Sequence, residues 1–338
     1  MIDHLVVYDT IFALAADDGR EEALFGSCGP LAREAFRHSL AGEGFPVVWF
    51  EVPFAGSPRF DLHVALSRAM LHAGAQLPPH AGNGYDALFR WYAEDETGGG
   101  GLAFAYDVSE GRIEDPAVHV NVNNAPLSDM ARFFDLAAGD GAAELYTGFE
   151  SRLPQGWRVW YAGVHPGRPG SPVRIDCFVD EPLKRAYAAD ASLLERDLRA
   201  CGFTDTGPAL YGLSAPILES PFDLELQFDV MRDGTCGPTL GISAGFSLGT
   251  TGSVRKLFAE GGPAGALMGE IERMGLADGR WRHVPSASLS KLVDIGGDLL
   301  ALYCAPTFVK LRMRGGEPLD AKIYLQASAS ALSPELSE

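Results

Sequence analysis

Basic residues recur at alternate positions in several short stretches of the chain, and this spacing is the first chemical signal in the sequence. Lys310 and Arg312 are separated by one apolar residue, as are Lys322 and Tyr324. Alternate residues of a β-strand point to the same face of a sheet. Lysine, arginine and tyrosine side chains that meet on one face would suit a diphosphate, which accepts several charge-assisted hydrogen bonds.

Carboxylates and aromatic rings follow the same alternation. A carboxylate such as Glu51 or Asp61 near aromatic rings would suit a general base, although the solvated face of an amphipathic strand is the simpler explanation for any single residue. The pattern recurs from strand to strand, which favours a common site. The polar-face positions are Trp49, Glu51, Asp61, His63, Tyr106, His119, Asn121, Asn123, Arg174, Asp176, Gln227, Asp229, Ser243, Lys310, Arg312, Lys322 and Tyr324.

Period-2 stretches that predict strands come in pairs, with helical patterns between the pairs. The predicted strands are Val47–Val52, Phe60–Leu66, Leu102–Val108, Val118–Asn123, Val159–Val164, Val173–Val179, Leu224–Val230, Leu240–Phe246, Phe308–Met313 and Ala321–Gln326. The predicted helices are Tyr85–Glu94, Ser128–Leu136, Ala142–Leu153, Ser192–Cys201, Val254–Glu260 and Ala264–Met274. The sequence therefore predicts a strand-strand-helix-helix unit that is repeated about five times.

One face of each predicted strand is apolar, and the amphipathic helices can cover it. The strands could form an open sheet with solvent on its polar face, or a closed barrel with the polar face inside. About ten strands enclose more space than side chains fill, so a closed barrel would contain a ligand chamber. We expect an α/β fold with the closed barrel.

The composition is that of a folded globular chain, with 338 residues of which 46% are hydrophobic. We expect one domain over residues 1–326 and a flexible tail over 327–338. The formal net charge of -18 disfavours binding to nucleic acid and to anionic membranes. The five cysteines show no CxxC spacing, which argues against a zinc site or a disulfide framework. A cytoplasmic protein without a membrane span fits these features best.

The repeated units, the polar inner face and the Lys322-Ile323-Tyr324 segment resemble the ABBA-fold prenyltransferases, whose barrel is called the PT barrel. Among these, the chain is most similar to the cyanobactin-type peptide prenyltransferases, which modify ribosomal peptides (RiPPs). Two segments carry this similarity, Tyr161–Asp176 and Leu224–Val230, and the overall resemblance covers residues 46 to 326. It implies transfer of a dimethylallyl or longer prenyl group from a prenyl diphosphate to a peptide side chain.

The resemblance also implies roles for individual residues. Glu51 or Asp61 would be the catalytic carboxylate, and the alternation does not choose between them. Trp49, Tyr106, Trp160 and Phe178 would shield an allylic cation, since aromatic faces attract cations. The diphosphate would be held by Arg174, Lys322 and Tyr324, with Lys310, Arg312, His63, His119 and Gln227 as further contacts. Mg²⁺ would enter bound to the diphosphate, with no metal site in the protein and no organic cofactor.

Two other functions compete with this interpretation. A barrel that binds a peptide without catalysis would show the same strand pattern. Gly241–Gly245 matches the GxSxG motif of serine hydrolases, with Ser243 as the nucleophile, Asp278 as the acid and His283 as the base. That motif requires a strand, a sharp turn and then a helix, but the glycine-rich residues after Gly245 are not typical of a helix start.

Overall fold

A computed structural model describes residues 4–16, 24–26, 29–31, 47–56, 59–66, 68, 85–94, 101–109, 112–113, 116–122, 127–139, 141–165, 173–246 and 251–332. Its strands are β1 (Val47–Pro53), β2 (Phe60–Leu66), β3 (Leu102–Ser109), β4 (Arg112–Ile113), β5 (Ala117–Asn121), β6 (Trp157–Val164), β7 (Val173–Val179), β8 (Asp223–Val230), β9 (Cys236–Gly245), β10 (Leu289–Ile295), β11 (Asp298–Arg314) and β12 (Glu317–Ala331). The predicted strand pairs are all present.

Helices occupy the intervals between the strand pairs. They are α1 (His4–Ala16), α2 (Asp86–Glu94), α3 (Leu127–Ala138), α4 (Ala142–Glu150), α5 (Glu181–Ala189), α6 (Ala191–Ala200), α7 (Pro208–Leu218), α8 (Thr251–Phe258), α9 (Pro263–Arg273) and α10 (Val284–Ala287), with a 3₁₀ turn at Gly279–His283. Aspartates begin two of these helices: the Asp180 side chain accepts a hydrogen bond from the Leu183 amide, and Asp190 accepts one from Ser192. Among the described residues, no helix is both long and apolar enough to cross a membrane.

The strands close into an antiparallel barrel. The order β11-β12-β1-β2-β3-β5-β6-β7-β8-β9 returns to its start because β9 also pairs with β11. The long strand β11 makes this closure possible: its first half pairs with β10, and its second half pairs with β9, from Phe308↔Gly245 to Arg314↔Thr239. This ten-strand barrel with external helices is the ABBA arrangement that the resemblance implies, so the predicted fold is confirmed.

The apolar face of the barrel is covered by the helices. Leu62, Phe104 and Leu226 are completely buried, as are Tyr146 and Phe149 of α4. Aromatic rings of these helices contact side chains of the strands directly. Phe149, for example, lies 5.2 Å between ring centroids from Phe228 of β8. Each buried side chain of this size stabilises the fold by about 1.5–3 kcal/mol, which fixes the alternation of the strands and therefore the residues that face inward.

The structure corrects the expected C-terminal boundary. Residues 327–331 were assigned to the tail, but they continue β12, where Ala327 pairs with Val48 and Ala331 pairs with Leu300. Alternating small residues, Ala-Ser-Ala-Ser-Ala, fit a strand as well as a frayed end, and the neighbouring strands decide between the two. Residues 333–338 of the predicted tail lie outside the described residues, as does Asn123 at the predicted end of β5.

Candidate active site

Paired residues of neighbouring strands share a face, so the register shows which side chains face the lumen. On β1, β2 and β12 these include Glu51, Asp61 and Tyr324, because Glu51 pairs with both of the others. The register partners on the remaining strands can be followed in the same way from one strand to the next. They show that nine other predicted residues lie on the inner face: Trp49, His63, His119, Arg174, Phe178, Gln227, Lys310, Arg312 and Lys322.

Tyr106 was expected to face the lumen, and this expectation is wrong. It pairs with Leu62, which belongs to the outer, helix-covered face, while its neighbour Asp107 pairs with the inward Asp61. The other inward positions of β3 include Ala103 and Ala105, and the large rings of this strand, Phe104 and Tyr106, pack outside under the helices. Burial raises the pKa of the Tyr106 phenol well above its usual range, in keeping with a place in the apolar core.

A lysine and two carboxylates form the centre of the lumen. Lys322 Nζ lies 2.8 Å from Glu51 Oε1 and 2.8 Å from Asp61 Oδ2. His63 Nε2 lies 3.2 Å from the second Glu51 oxygen, and the Tyr324 hydroxyl donates a further hydrogen bond to Glu51. The two carboxylates that the alternation could not tell apart therefore hold the same cation, and Glu51 has more partners than Asp61.

The surroundings move the pKa values of these two carboxyls in opposite directions. Burial would raise the pKa of Glu51, but Lys322, the hydrogen bond with His63 and Lys310 together hold it well below its ordinary value. Burial also raises the pKa of Asp61; Lys322 opposes this rise, while the negative charges of Glu51 and Asp107 add to it. Glu51 is thus the firmly ionised anchor, and Asp61 is the better proton acceptor of the pair.

Lys310 differs from the other lysines and arginines predicted to bind diphosphate. Its Nζ donates a 2.7 Å hydrogen bond to the hydroxyl of Tyr324 and lies 4.8 Å from the centre of the same ring. The partner is a neutral phenol, and no carboxylate is within ion-pair distance of Lys310 among the described residues. Burial lowers the pKa of Lys310, against the opposing charges of Asp176 and Glu51. Among the lysines and arginines predicted to bind diphosphate, the Lys310 ammonium group is therefore the one whose charge is least neutralised by carboxylates.

The two predicted arginines are already engaged by carboxylates. Arg174 makes a two-pronged contact with Asp229, at 2.8 and 3.0 Å, and Arg312 makes the same kind of contact with Asp320. Gln227 Nε2 donates a 2.7 Å hydrogen bond to Asp176. A diphosphate would have to compete with aspartates for either guanidinium, so these residues contribute less to an anion site than their positions suggest.

The two predicted histidines stand side by side. The His63 and His119 rings are 5.9 Å apart, and His119 also stacks on Tyr161 at 5.6 Å. Gly163 pairs with His119 across β5 and β6, and a Cβ atom at Gly163 would lie 2.5 Å from His119 Nδ1 and 2.8 Å from the Val118 carbonyl oxygen. The missing side chain of Gly163 therefore makes room for the imidazole.

Replacement of Gly163 by alanine is expected to lower the free energy of unfolding by about 2 kcal/mol, because the added methyl group overpacks a site that is bounded by backbone. Chemical denaturation measures the change. Gly148→Ala in α4 is the matched control: a Cβ there meets nothing within 4 Å, so this variant should be as stable as the parent or about 0.5–1 kcal/mol more stable. Equal stability of the two variants would contradict the close packing of His119.

Aromatic side chains line the lumen on both sides of the central cluster. Trp49 pairs with His63 on the β1–β2 side, and the Phe308 and Tyr324 rings meet at 6.0 Å. Trp160 lies at a β-bulge of β6, beside the inward Tyr161. Three of the four predicted shielding residues, Trp49, Trp160 and Phe178, are therefore near the chamber, and Tyr106 is not.

Sequence reasoning missed several lumen residues. Glu225 pairs with Phe178 and Ser243, and the alternation of β8 places it on the polar face, so this residue could have been found. Asp320 lies just before the predicted start of the last strand, which concealed the partner of Arg312. Arg158 and Tyr161 stand on either side of a bulge, where simple alternation fails.

The hydrolase motif does not form a nucleophile elbow. Ser243 lies inside β9, paired with Glu225 on one side and Lys310 on the other, and the strand continues to Gly245. His283, the base that this alternative requires, is exposed in the 3₁₀ turn. Among the described residues, no group of three or more His, Cys, Asp or Glu side chains is placed to hold a metal ion.

Comparisons with known proteins add little to this picture. No protein-family model matches the chain, and neither does any curated protein. Among solved structures, the chain is similar to the crystal structure of AnaPT from Neosartorya fischeri, with a TM-score of 0.48 and 11% sequence identity over 97% of this chain and 91% of that chain. The fold follows from the strand pairing described above, and the chemistry must be inferred from the side chains of the lumen.

Proposed function

We propose that this protein is a prenyltransferase that moves a dimethylallyl or longer prenyl group from a prenyl diphosphate to a nucleophilic side chain of a ribosomal peptide. The observation that carries the proposal is the pair Lys310 and Lys322, which are direct register partners on adjacent strands of a closed lumen. Both lysines are buried. Buried ammonium groups that face a chamber stabilise a leaving group that gains negative charge as its bond breaks.

The lumen could hold the donor with its diphosphate at Lys310. The inner face of β9 next to Lys310 carries only small residues, Gly241, Ser243 and Gly245. The Ser243 hydroxyl lies beside Lys310 on β9 and can donate a hydrogen bond to a diphosphate oxygen. In this arrangement Lys322 is a second, less available cation.

The acceptor would lose its proton to Asp61. In the transfer, the bond between the prenyl C1 and the diphosphate oxygen breaks, a bond from C1 to the acceptor nucleophile forms, and the proton of the nucleophile passes to the carboxylate. Diphosphate leaves with the electron pair. The raised pKa of Asp61, caused by burial and by the nearby Glu51 and Asp107 charges, favours this role. Glu51 would hold Lys322 and orient His63.

The aromatic residues would protect the allylic cation that forms as C1 separates from oxygen. Trp49, Tyr324 and Phe178 present rings to the lumen, where they attract positive charge and delay its capture by water. Mg²⁺ bound to the donor would supply charge neutralisation on the diphosphate.

The function is tested by incubating the purified protein with dimethylallyl or geranyl diphosphate, a mixture of short peptides that contain every nucleophilic side chain, and Mg²⁺. We expect a peptide whose mass rises by one prenyl unit, together with an equal amount of released diphosphate. Asp61→Asn should reduce the rate by about 10²–10⁴-fold, the usual contribution of a general base.

The same experiment distinguishes the other functions. A peptide that binds without any gain of mass, from either donor, would favour the non-catalytic barrel. Labelling of Ser243 by a fluorophosphonate would favour the hydrolase, which the position of Ser243 inside β9 argues against. Neither result is compatible with prenyl transfer.

A further inference from the structure

One row of inner-face residues connects the barrel mouth to the proposed donor site. Arg158 pairs with Phe178, Phe178 with Glu225, and Glu225 with Ser243, which in turn pairs with Lys310. Direct register partners on one face have Cβ atoms about 4.5–5.5 Å apart. The side chains of this row are therefore in contact range of one another, and two of them, Arg158 and Glu225, have no role in the transfer step proposed above.

The guanidinium group of Arg158 stacks over the Phe178 ring. The Arg158 Cζ lies 4.6 Å from the centre of the Phe178 ring and 5.7 Å from that of Trp160. Arg158 is exposed as a whole residue, so it lies at the solvent-accessible end of the row. Both distances lie within the roughly 6 Å over which an aromatic face attracts a cation.

Glu225 places a carboxyl group beside this aromatic pair, as the register partner of Phe178. Its Oε1 lies over the backbone of Gly245, 3.6 Å from the position that a Cβ would take there, in a space that it shares with Asp223 and Phe308. The charged groups that face it are Arg158 from β6, Asp176 from β7, Asp223 on its own strand and Lys310 from β11. Two acidic and two basic groups therefore surround Glu225.

We infer that Phe178, Trp160 and Glu225 form a binding site for a guanidinium group of the acceptor, and that Arg158 fills this site when the acceptor is absent. The inference rests on the proposed function and specifies its acceptor: a peptide that presents an arginine side chain to the lumen. A planar guanidinium matches the stacked position that Arg158 already occupies better than a compact ammonium group does. In the order of this row, the acceptor cation would lie on the Phe178 side of Glu225, and the donor diphosphate would lie on its Ser243 side.

The affinity of this site for a cation should depend on pH, because Glu225 can gain or lose a proton. Burial, followed by the Asp176 charge, raises the pKa of Glu225 to about 8. The carboxyl is therefore largely protonated at pH 7, and a bound guanidinium, which favours the carboxylate, must release that proton. Affinity for the cation should rise as the pH increases from 6 to about 8 and then level off. Asp176 has a raised pKa from burial as well, so the Glu225→Gln variant is needed to assign the dependence.

Calorimetry without any prenyl donor tests the site independently of prenyl transfer. The probes are N-acetyl-arginine methylamide, its lysine counterpart, and the citrulline counterpart, which is neutral and nearly the same shape as arginine. We expect the arginine probe to bind at least tenfold more tightly than either of the others, with proton release at pH 7. Glu225→Gln should weaken binding about tenfold and remove the proton release, and Phe178→Leu should weaken it about fivefold.

Arg158→Ala is the decisive variant. Because it empties the site, it should bind the arginine probe about fivefold more tightly than the parent protein. Arg185→Ala is the matched control, since Arg185 is an exposed arginine of α5 that pairs with Glu181 far from the lumen; its affinity should not change. Equal binding of the arginine and citrulline probes, equal binding of the arginine and lysine probes, or unchanged affinity in Arg158→Ala would each overturn the inference. Prenyl transfer to an acceptor without arginine would leave the proposed function standing and this inference refuted.

Discussion

Lys310→Met is expected to weaken the binding of a prenyl diphosphate analogue about 100-fold. Lys310 is the lumen lysine whose hydrogen bond goes to the neutral Tyr324 hydroxyl, so its charge is the most available to an anion. Loss of a charge-assisted contact in a buried site costs about 2–5 kcal/mol, and each 1.4 kcal/mol is tenfold in affinity. Calorimetry with dimethylallyl S-thiolodiphosphate, which does not ionise readily, measures the effect.

The arginines provide a matched comparison for this prediction. Arg312→Leu should weaken binding of the same analogue less than tenfold, because Asp320 already neutralises that guanidinium. Lys291→Met, at an exposed position of β10, should leave the affinity unchanged. A larger loss in Arg312→Leu than in Lys310→Met would contradict the assignment of the anion site to Lys310. Thermal unfolding verifies that each variant is folded before titration.

Lys322→Met is expected to lower the free energy of unfolding by about 3–5 kcal/mol at pH 7. The change leaves Glu51 and Asp61 buried next to each other without the ammonium group that lies 2.8 Å from each. Removal of one partner from a buried ion pair has this cost because an uncompensated charge remains. Urea denaturation at several pH values measures it.

The pH dependence of that loss follows from the direction of the pKa shifts. Glu51 has a lowered pKa in the folded parent protein, so its contribution to stability is present above its unfolded pKa of about 4.3 and disappears as the pH falls below it. In Lys322→Met the facing carboxyls take up protons on acidification, which relieves their repulsion. The difference between parent and variant should therefore shrink towards pH 3.

A second substitution verifies the cause. Glu51→Gln placed in the Lys322→Met background removes one of the two facing charges and should recover part of the lost stability. Lys291→Met, the exposed control, should change stability by less than about 0.5 kcal/mol. A Lys322→Met loss that is the same at pH 7 and pH 3 would mean that packing, and not charge, explains the effect.

Alternation within the sequence predicted the strand pairs because one face of each strand is buried under helices. It missed α7 (Pro208–Leu218), whose residues are apolar on all sides and so lack helical periodicity. It also missed β10 and the first half of β11. Most of β10 is exposed or half-buried, and Pro306 stands next to a bulge in β11. These parts are determined by pairing between strands, which a local pattern does not report.

The candidate site was predictable as a set of inward positions but not as a set of contacts. Lys322 and Asp61 are 261 positions apart in the chain, and their ion pair depends on the register of β12, β1 and β2. The alternation therefore placed both residues correctly but gave no sign that the carboxylates hold the lysine. Tyr106 shows the opposite failure: its hydroxyl favoured the lumen, and the packing of the large β3 rings under the helices put it outside.

Binding of a prenyl diphosphate inside the barrel is the central claim, and titration of the unmutated protein with dimethylallyl S-thiolodiphosphate tests it most directly. With Mg²⁺ present, one analogue molecule should bind per chain, and inorganic diphosphate should displace it. The Lys310→Met variant should show little heat under the same conditions. Absence of saturable binding by the unmutated protein, with either the dimethylallyl or the geranyl analogue, would contradict the proposal that this lumen is a prenyl-transfer site.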